Sequence, residues 1–229
     1  VAVTSRQAIP RGHDLVAARR HLARVDPGLG RWMRQLGPIE PRWHEPFSPV
    51  DALARAIIYQ QLSGKAAGTI MGRVLAAIGE RGRVSPEALR DADPVLLRAC
   101  GVSANKQAAL KDLADKALSG VVPRAQELRW LDDAALIERM TAVRGIGRWT
   151  VETMLIFRLG RPDVLPVDDL GVRKGAQRLL ALPEAPKPKV LAAHGERWGP
   201  WRTLASLYLW KIADAAGPND PQVKRSQSS

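Results

Sequence analysis

The chain has 229 residues, 45% of them hydrophobic, and its 35 Lys and Arg against 23 Asp and Glu give a net charge of +12. That length supports one large or two small packed lobes, and the basic excess favours a polyanionic partner, most simply nucleic acid or an anionic membrane surface. No run approaches the roughly 20 apolar residues of a membrane span, and a lone cysteine, Cys100, excludes an intrachain disulfide, an iron–sulfur cluster and a thiolate zinc site.

Taken in order, nearly every segment reads as a helix bounded by cap signals. A helix covers about Asp14 to Val25 and stops before Asp26-Pro27-Gly28, and a Pro-rich connection follows through Pro38, Pro41 and Pro46. Ser48-Pro49-Val50-Asp51 is a helix start, with Ser as N-cap, Pro in the first turn and a carboxylate at the third position. Leu53, Ile57 and Ile58 then recur at helical spacing up to a polar break, Tyr59-Gln60-Gln61-Leu62-Ser63-Gly64. Another helix spans roughly Lys65 to Ile78. Ser85-Pro86 and Asp93-Pro94 open two short ones, and Ser103 caps a helix from Ala104 to Leu118 that Gly120 closes. Asp132 caps a helix to about Val143. Arg144-Gly145-Ile146-Gly147 follows, then a helix to Leu159 ended by Gly160. Asp168 reads as the N-cap of a helix from Asp169 to about Leu180, and two last helices flank Trp198-Gly199-Pro200-Trp201.

No stretch alternates β-branched residues with period two, so the class is all-α, with ten or so short helices. Two lobes are expected: 1–48 with 156–217, and a central bundle over 49–155. A polar tail at 218–229 reads as disordered. The N-terminus shows no apolar h-region and the four scattered histidines (His13, His21, His44, His194) show no paired spacing. An intracellular protein without a transition metal is the expectation.

The sharpest local signal is helix, Arg144-Gly145-Ile146-Gly147, helix. Two glycines one residue apart permit a tight turn, and the helix it opens begins with N–H groups that have no intrahelical partner and carry partial positive charge. A phosphate fits there, Ile146 can anchor the turn in the core, and Arg148 adds a charge-assisted contact. Taken alone, such a turn is also a common helix connection.

Thr141-Ala-Val-Arg-Gly-Ile-Gly-Arg-Trp-Thr150 and Val164-Leu-Pro-Val-Asp-Asp-Leu-Gly-Val-Arg173 together resemble the helix–hairpin–helix DNA glycosylases. Within them the chain looks like the 3-methyladenine DNA glycosylase II type, which Tyr59-Gln-Gln-Leu-Ser-Gly-Lys-Ala-Ala67 and Trp198-Gly-Pro-Trp-Arg202 with Trp210 also match. The resemblance covers about residues 48–214 and is to a compact form without an N-terminal β-rich lobe. It implies a two-lobed helical fold with the active site in the cleft between lobes, and double-stranded DNA with damaged bases as partner. No membrane or protein partner is implied, and a monomer is expected, acting at the nucleoid or in the nucleus.

Base excision breaks a C1′–N bond through an oxocarbenium-like sugar, and a fixed carboxylate beside it stabilises the growing charge and orients or deprotonates the attacking water. Two carboxylates, Asp168 and Asp169, precede one helix. Both suit a helix start, and the resemblance gives catalysis to Asp169 and capping to Asp168. Bifunctional relatives carry a nucleophilic Lys two residues after the second hairpin glycine. Here that residue is Trp149, so no strand nicking is expected. Trp149 and Trp210 are candidate pocket walls for an electron-poor or cationic base, or ordinary core, while Thr153 and Leu170 are further pocket candidates. Trp198 and Trp201 read as structural.

The Gln60-Gln61-Leu62-Ser63 break is the candidate wedge, with Gln61 or Leu62 inserting where the base leaves; an ordinary loop with Leu62 buried is the competing reading. Lys65 and Lys106 either reach phosphates or are solvated charges. Arg144, Gly145, Ile146, Gly147, Arg148 and Thr150 complete the expected DNA contacts. No organic cofactor is expected; the resemblance alone suggests Na+ or K+ on the carbonyls of Thr141, Arg144 and Ile146. Two rival functions are a helix–hairpin–helix module that grips DNA without cutting it and a glycosylase for another lesion.

Overall fold

A computed structural model describes residues 8–215; the tail expected at 218–229 lies outside the described residues. Among the described residues it holds α-helices and no strand, with one isolated bridge between Glu80 and Arg83. In chain order the helices are α1 (Leu15–Val25), α2 (Pro27–Leu36), α3 (Pro49–Tyr59), α4 (Gly64–Ile78), α5 (Pro86–Asp91), α6 (Pro94–Ala99) and α7 (Ala104–Leu118). After them come α8 (Asp133–Thr141), α9 (Arg148–Met154), α10 (Leu170–Leu179), α11 (Pro188–Gly195) and α12 (Arg202–Asp214). The all-α class read from the sequence holds.

The caps explain the starts. Side-chain oxygens of Asp14, Asp26, Ser48, Ser63, Ser85, Asp93, Asp132 and Asp169 each accept a first-turn N–H, replacing the intrahelical partner that turn lacks. Proline opens α2, α3, α5, α6 and α11, where its missing N–H costs nothing. Sequence reading missed α2. Asp26 ends α1 and caps α2 through Leu29 N at 2.9 Å, so the Asp-Pro-Gly that reads as a stop is also a start.

The chain divides into two compact units. Among the described residues, one comprises 8–11 and Trp43–Leu159; the other comprises Gly12–Arg42 and 160–215. The breaks expected at 48/49 and 155/156 fall inside the first unit, because Trp43 is buried there with its Nε1 donating to Ile156 O at 2.7 Å. Arg11 likewise donates to Arg158 O and Glu45 O. In this unit α7 packs against α3 and α5, burying Leu110 and Leu113 with Leu53, Ile57 and Leu89.

In the other unit the main contact is α10 against α12. Gly175 makes it possible: a Cβ there would fall on the carbonyl of Leu209. Beneath it Trp198 is fully buried, its Nε1 donating to Asp26 Oδ2 at 3.0 Å, which bears out its structural reading. His194 Nε2 lies 3.3 Å from the same oxygen. Burial works to raise the Asp26 carboxyl, but the Leu29 N–H, Trp198 and His194 outweigh it and hold it below its ordinary value.

Candidate nucleic-acid interface and active-site residues

The hairpin runs from the end of α8 to the start of α9. Gly145 adopts φ +79°, the left-handed region that glycine enters without penalty. Ile146 is 5% exposed and its N–H donates to Val143 O at 3.0 Å, so the turn is anchored in the core as expected. The loop is held from two sides. Asp112 Oδ2 on α7 accepts the Arg144 N–H at 2.7 Å, and Gln60 Nε2 donates to Gly145 O at 2.7 Å. Burial alone would raise the Asp112 carboxyl; Lys116 and that N–H reverse the sign and lower it. Gly147 is the N-cap of α9, and its carbonyl accepts the Thr150 N–H at 3.0 Å. Arg148 is exposed and pairs with the mostly buried Glu152, Nε to Oε1 at 2.7 Å.

The break after α3 is a sharp turn. Gln61 takes φ +57°, uncommon for a non-glycine residue. Leu62 is 39% exposed, which removes the buried-loop reading, and Ser63 Oγ caps α4. Lys65, in the first turn of α4, is exposed. Lys106, read as a phosphate contact or a solvated charge, is half-buried, and its ammonium donates to Ile58 O at 2.8 Å and Gln60 O at 2.9 Å. These are carbonyls at the C-terminal end of α3, which the helix itself leaves without donors.

Within the same unit a cavity of about 760 Å3 opens between α3 and α9. It brings together Gln60, Gln61, Gly145, Trp149, Thr150 and Thr153 of the expected residues. Trp149 is 51% exposed on its wall, and the Thr153 hydroxyl is turned to Thr150 O at 2.8 Å. The opposite wall, Ala52, Ala56, Arg55 and Tyr59, was not foreseen. The spacing 52, 56, 59 puts three of them along one helical face, but that pattern does not tell a cavity from a packed neighbour.

In the other unit, the carboxylate pair resolves against the expectation for Asp168. Asp169 N donates to Pro166 O at 3.0 Å, which carries the turn one residue further, so the helix begins at Leu170. Asp169 is therefore the N-cap, its Oδ1 accepting Val172 N–H at 2.7 Å, and Asp168 is exposed in the turn. Trp210 on α12 donates its Nε1–H to the same Oδ1 at 2.8 Å. Gly171 makes room for that indole, since a Cβ there would lie 2.8 Å from Trp210 Cδ1 and 3.1 Å from Asp169 Oδ1. Sequence reading saw Trp210 as a wall; its bond to the carboxylate was invisible because the partners lie far apart in the chain. Leu170 is 56% exposed at the first position of α10.

The cation suggested by the resemblance fits the hairpin chemically. Val143 O accepts the Ile146 N–H and Gly145 O accepts the Gln60 amide, and the backbone oxygens of Thr141, Arg144 and Ile146 are hard donors of the kind alkali ions accept. No His, Cys, Asp or Glu cluster able to hold a metal occurs among the described residues.

Among the described residues, α8 and α9 joined by the Gly145-Ile146-Gly147 turn, which α7 and Gln60 pin in place, form a helix–hairpin–helix motif. A model of the HhH-GPD superfamily of base excision DNA repair proteins matches residues 54–200, and the chain belongs to that superfamily. It is 41% identical over 210 residues to DNA-3-methyladenine glycosylase 1 of Schizosaccharomyces pombe, covering 91% of this chain and 92% of that one. Among solved structures it resembles the S. pombe 3-methyladenine DNA glycosylase in complex with abasic DNA, with TM-score 0.77, 41% identity, and 87% and 98% of the two chains covered. It also resembles DNA-3-methyladenine glycosidase from Bacillus halodurans, with TM-score 0.78, 35% identity, and 86% and 88% covered.

Proposed function

We propose that this protein is a monofunctional DNA glycosylase that excises alkylated purines of the 3-methyladenine and 7-methylguanine type in base excision repair. The observation that carries the reading is Asp169, whose Oδ1 is fixed by both the Val172 N–H and the Trp210 indole, on a chain of this superfamily. A carboxylate held by two donors needs no reorganisation when positive charge develops beside it.

As the C1′–N bond breaks, the electron pair leaves with the base, and an alkylated base that is already cationic departs neutral. Asp169 stabilises the oxocarbenium-like sugar and orients the water whose oxygen bonds to C1′ and whose proton is released. One carboxylate suffices because the leaving group needs no separate acid. Trp149 presents its indole face to the electron-poor ring, with Thr153 as a further contact. With Trp149 in place of a nucleophilic Lys, the product is an intact abasic site.

Arg144, Gly145, Ile146, Gly147, Arg148 and Thr150 grip the backbone of double-stranded DNA, with Lys65 contributing charge. Gln61 or Leu62 enters the gap left by the extruded base, carried between Gln60 and Ser63. Na+ or K+ on the carbonyls of Thr141, Arg144 and Ile146 would add positive charge for the phosphate. The protein acts as a monomer wherever the DNA lies, nucleoid or nucleus; among the described residues no helix is long and apolar enough to cross a membrane.

The test is a panel of duplexes carrying single lesions, scored for abasic sites and for borohydride-trapped adducts. Release of N3- and N7-alkylated purines with no trapped adduct is expected. DNA binding without any abasic product would leave a gripping module, and release of only another lesion would reassign the substrate.

A further inference from the structure

We infer that Lys106 and Gln60 are positioning residues that lock the Gln61–Leu62 turn to the hairpin at a set spacing. Duplex opening and phosphate grip thereby become one rigid event. The inference rests on the proposed function and adds to it the part that aligns the wedge.

The placement of Lys106 is unfavourable by itself. It sits in the first turn of α7, where the helix dipole opposes a cation, and burial further disfavours its charge, lowering its pKa. What offsets both is the pair of bonds to Ile58 O and Gln60 O. These end α3 and set where the chain leaves it. Gln60 turns extended (φ −53°, ψ 131°) and Gln61 goes left-handed at φ +57°. The turn's own closing bond, Leu62 N to Tyr59 O, is long at 3.3 Å, so the ammonium is the firmer constraint.

Gln60 carries the coupling onward. Its carbonyl is on Lys106 and its side-chain amide is on Gly145 O at 2.7 Å. The hairpin is also tied to α7 through Asp112 Oδ2 and the Arg144 N–H at 2.7 Å. One helix thus holds the wedge turn at residue 106 and the hairpin at residue 112. Those positions lie about 9 Å apart along a rigid α-helical axis, and all of these bonds lie within one compact unit.

The experiment compares wild type with Lys106→Met, Lys106→Arg and Gln60→Met. Single-turnover excision is measured on duplexes in which the lesion is normally paired or faces a gap. A misaligned wedge slows the opening of a paired base and matters little where no pair must be opened. Lys106→Met should lose about tenfold on the paired lesion, the worth of one charged hydrogen bond, with the deficit shrinking to about twofold opposite the gap. Lys106→Arg should recover most of the loss. Affinity for undamaged duplex should stay within about threefold, because a phosphate-contacting lysine would weaken all duplexes alike.

Gln60→Met, which leaves the lysine in place, should show the same pattern if Lys106→Met folds poorly. Equal deficits on both substrates, or none, overturn the inference. A wild type that excises nothing overturns the proposed function instead. Fluorescence of 2-aminopurine at the opened position, at saturating protein, still reads the turn: both Met variants should lose the increase seen with wild type, and keeping it refutes the inference.

Discussion

Replacing Trp210 by Phe isolates the indole N–H from the ring that carries it. The donor lies 2.8 Å from Asp169 Oδ1 and the bond is charge-assisted, a kind worth about 1.5–3 kcal/mol net. Phe keeps most of the apolar area against α10, and Gly175 still seats α12 through Leu209, so the fold should lose little. Val172 N–H continues to hold Oδ1, leaving the carboxylate half-fixed. If that energy goes into holding the carboxylate for the transition state, excision should slow by about 10- to 100-fold. The assay is single-turnover excision of N3- or N7-methylpurine at saturating protein, with the melting temperature measured beside it. A Trp210→Phe rate within twofold of wild type would refute the positioning role and leave the residue as a wall only.

Two further outcomes concern the fold. Gly175→Ala should destabilise the second unit by about 1–3 kcal/mol or more, since its methyl meets backbone that cannot rotate aside. Calorimetry would show this as a drop of at least a few degrees. Asp26 and Asp163 are both held below their ordinary value of 3.8: burial opposes, but the hydrogen bonds around Asp26 and the Arg202 pairing of Asp163 prevail. The unfolded chain therefore takes up protons first as pH falls. Their contribution is whole above that ordinary value and is lost as pH drops through the lower folded values. Urea midpoints measured from about pH 5 to about pH 2 should fall accordingly, and Asp26→Asn should flatten part of the decline.

Much of the fold was legible because capping is local. Ser48-Pro49, Ser85-Pro86 and Asp93-Pro94 each announce a helix within four residues, and each helix is there. Where one residue serves two helices, as Asp26 does, the local rule is ambiguous and α2 went unread. Adjacent Asp168 and Asp169 are ambiguous in the same way, and the Pro166 carbonyl decides between them. The glycines and Ile146 of the hairpin were readable from backbone chemistry. Lys106 was not, because what it does depends on carbonyls 46 and 48 residues earlier in the chain. Trp210 likewise finds its carboxylate 41 residues away. The wall of Ala52 and Ala56 leaves little trace in sequence, since small residues on a helix look the same facing a cavity or a neighbour.

The most direct measurement of the account is base release by Asp169→Asn. The amide keeps an oxygen for Val172 N–H and Trp210 Nε1, so the capped helix and the binding of lesion-bearing duplex should survive while the negative charge is gone. Excision should then fall at least about 100-fold, the scale of a lost transition-state electrostatic partner, and Asp168→Asn should behave as wild type. Near-normal base release by Asp169→Asn, with loss in Asp168→Asn, would contradict the account at its centre.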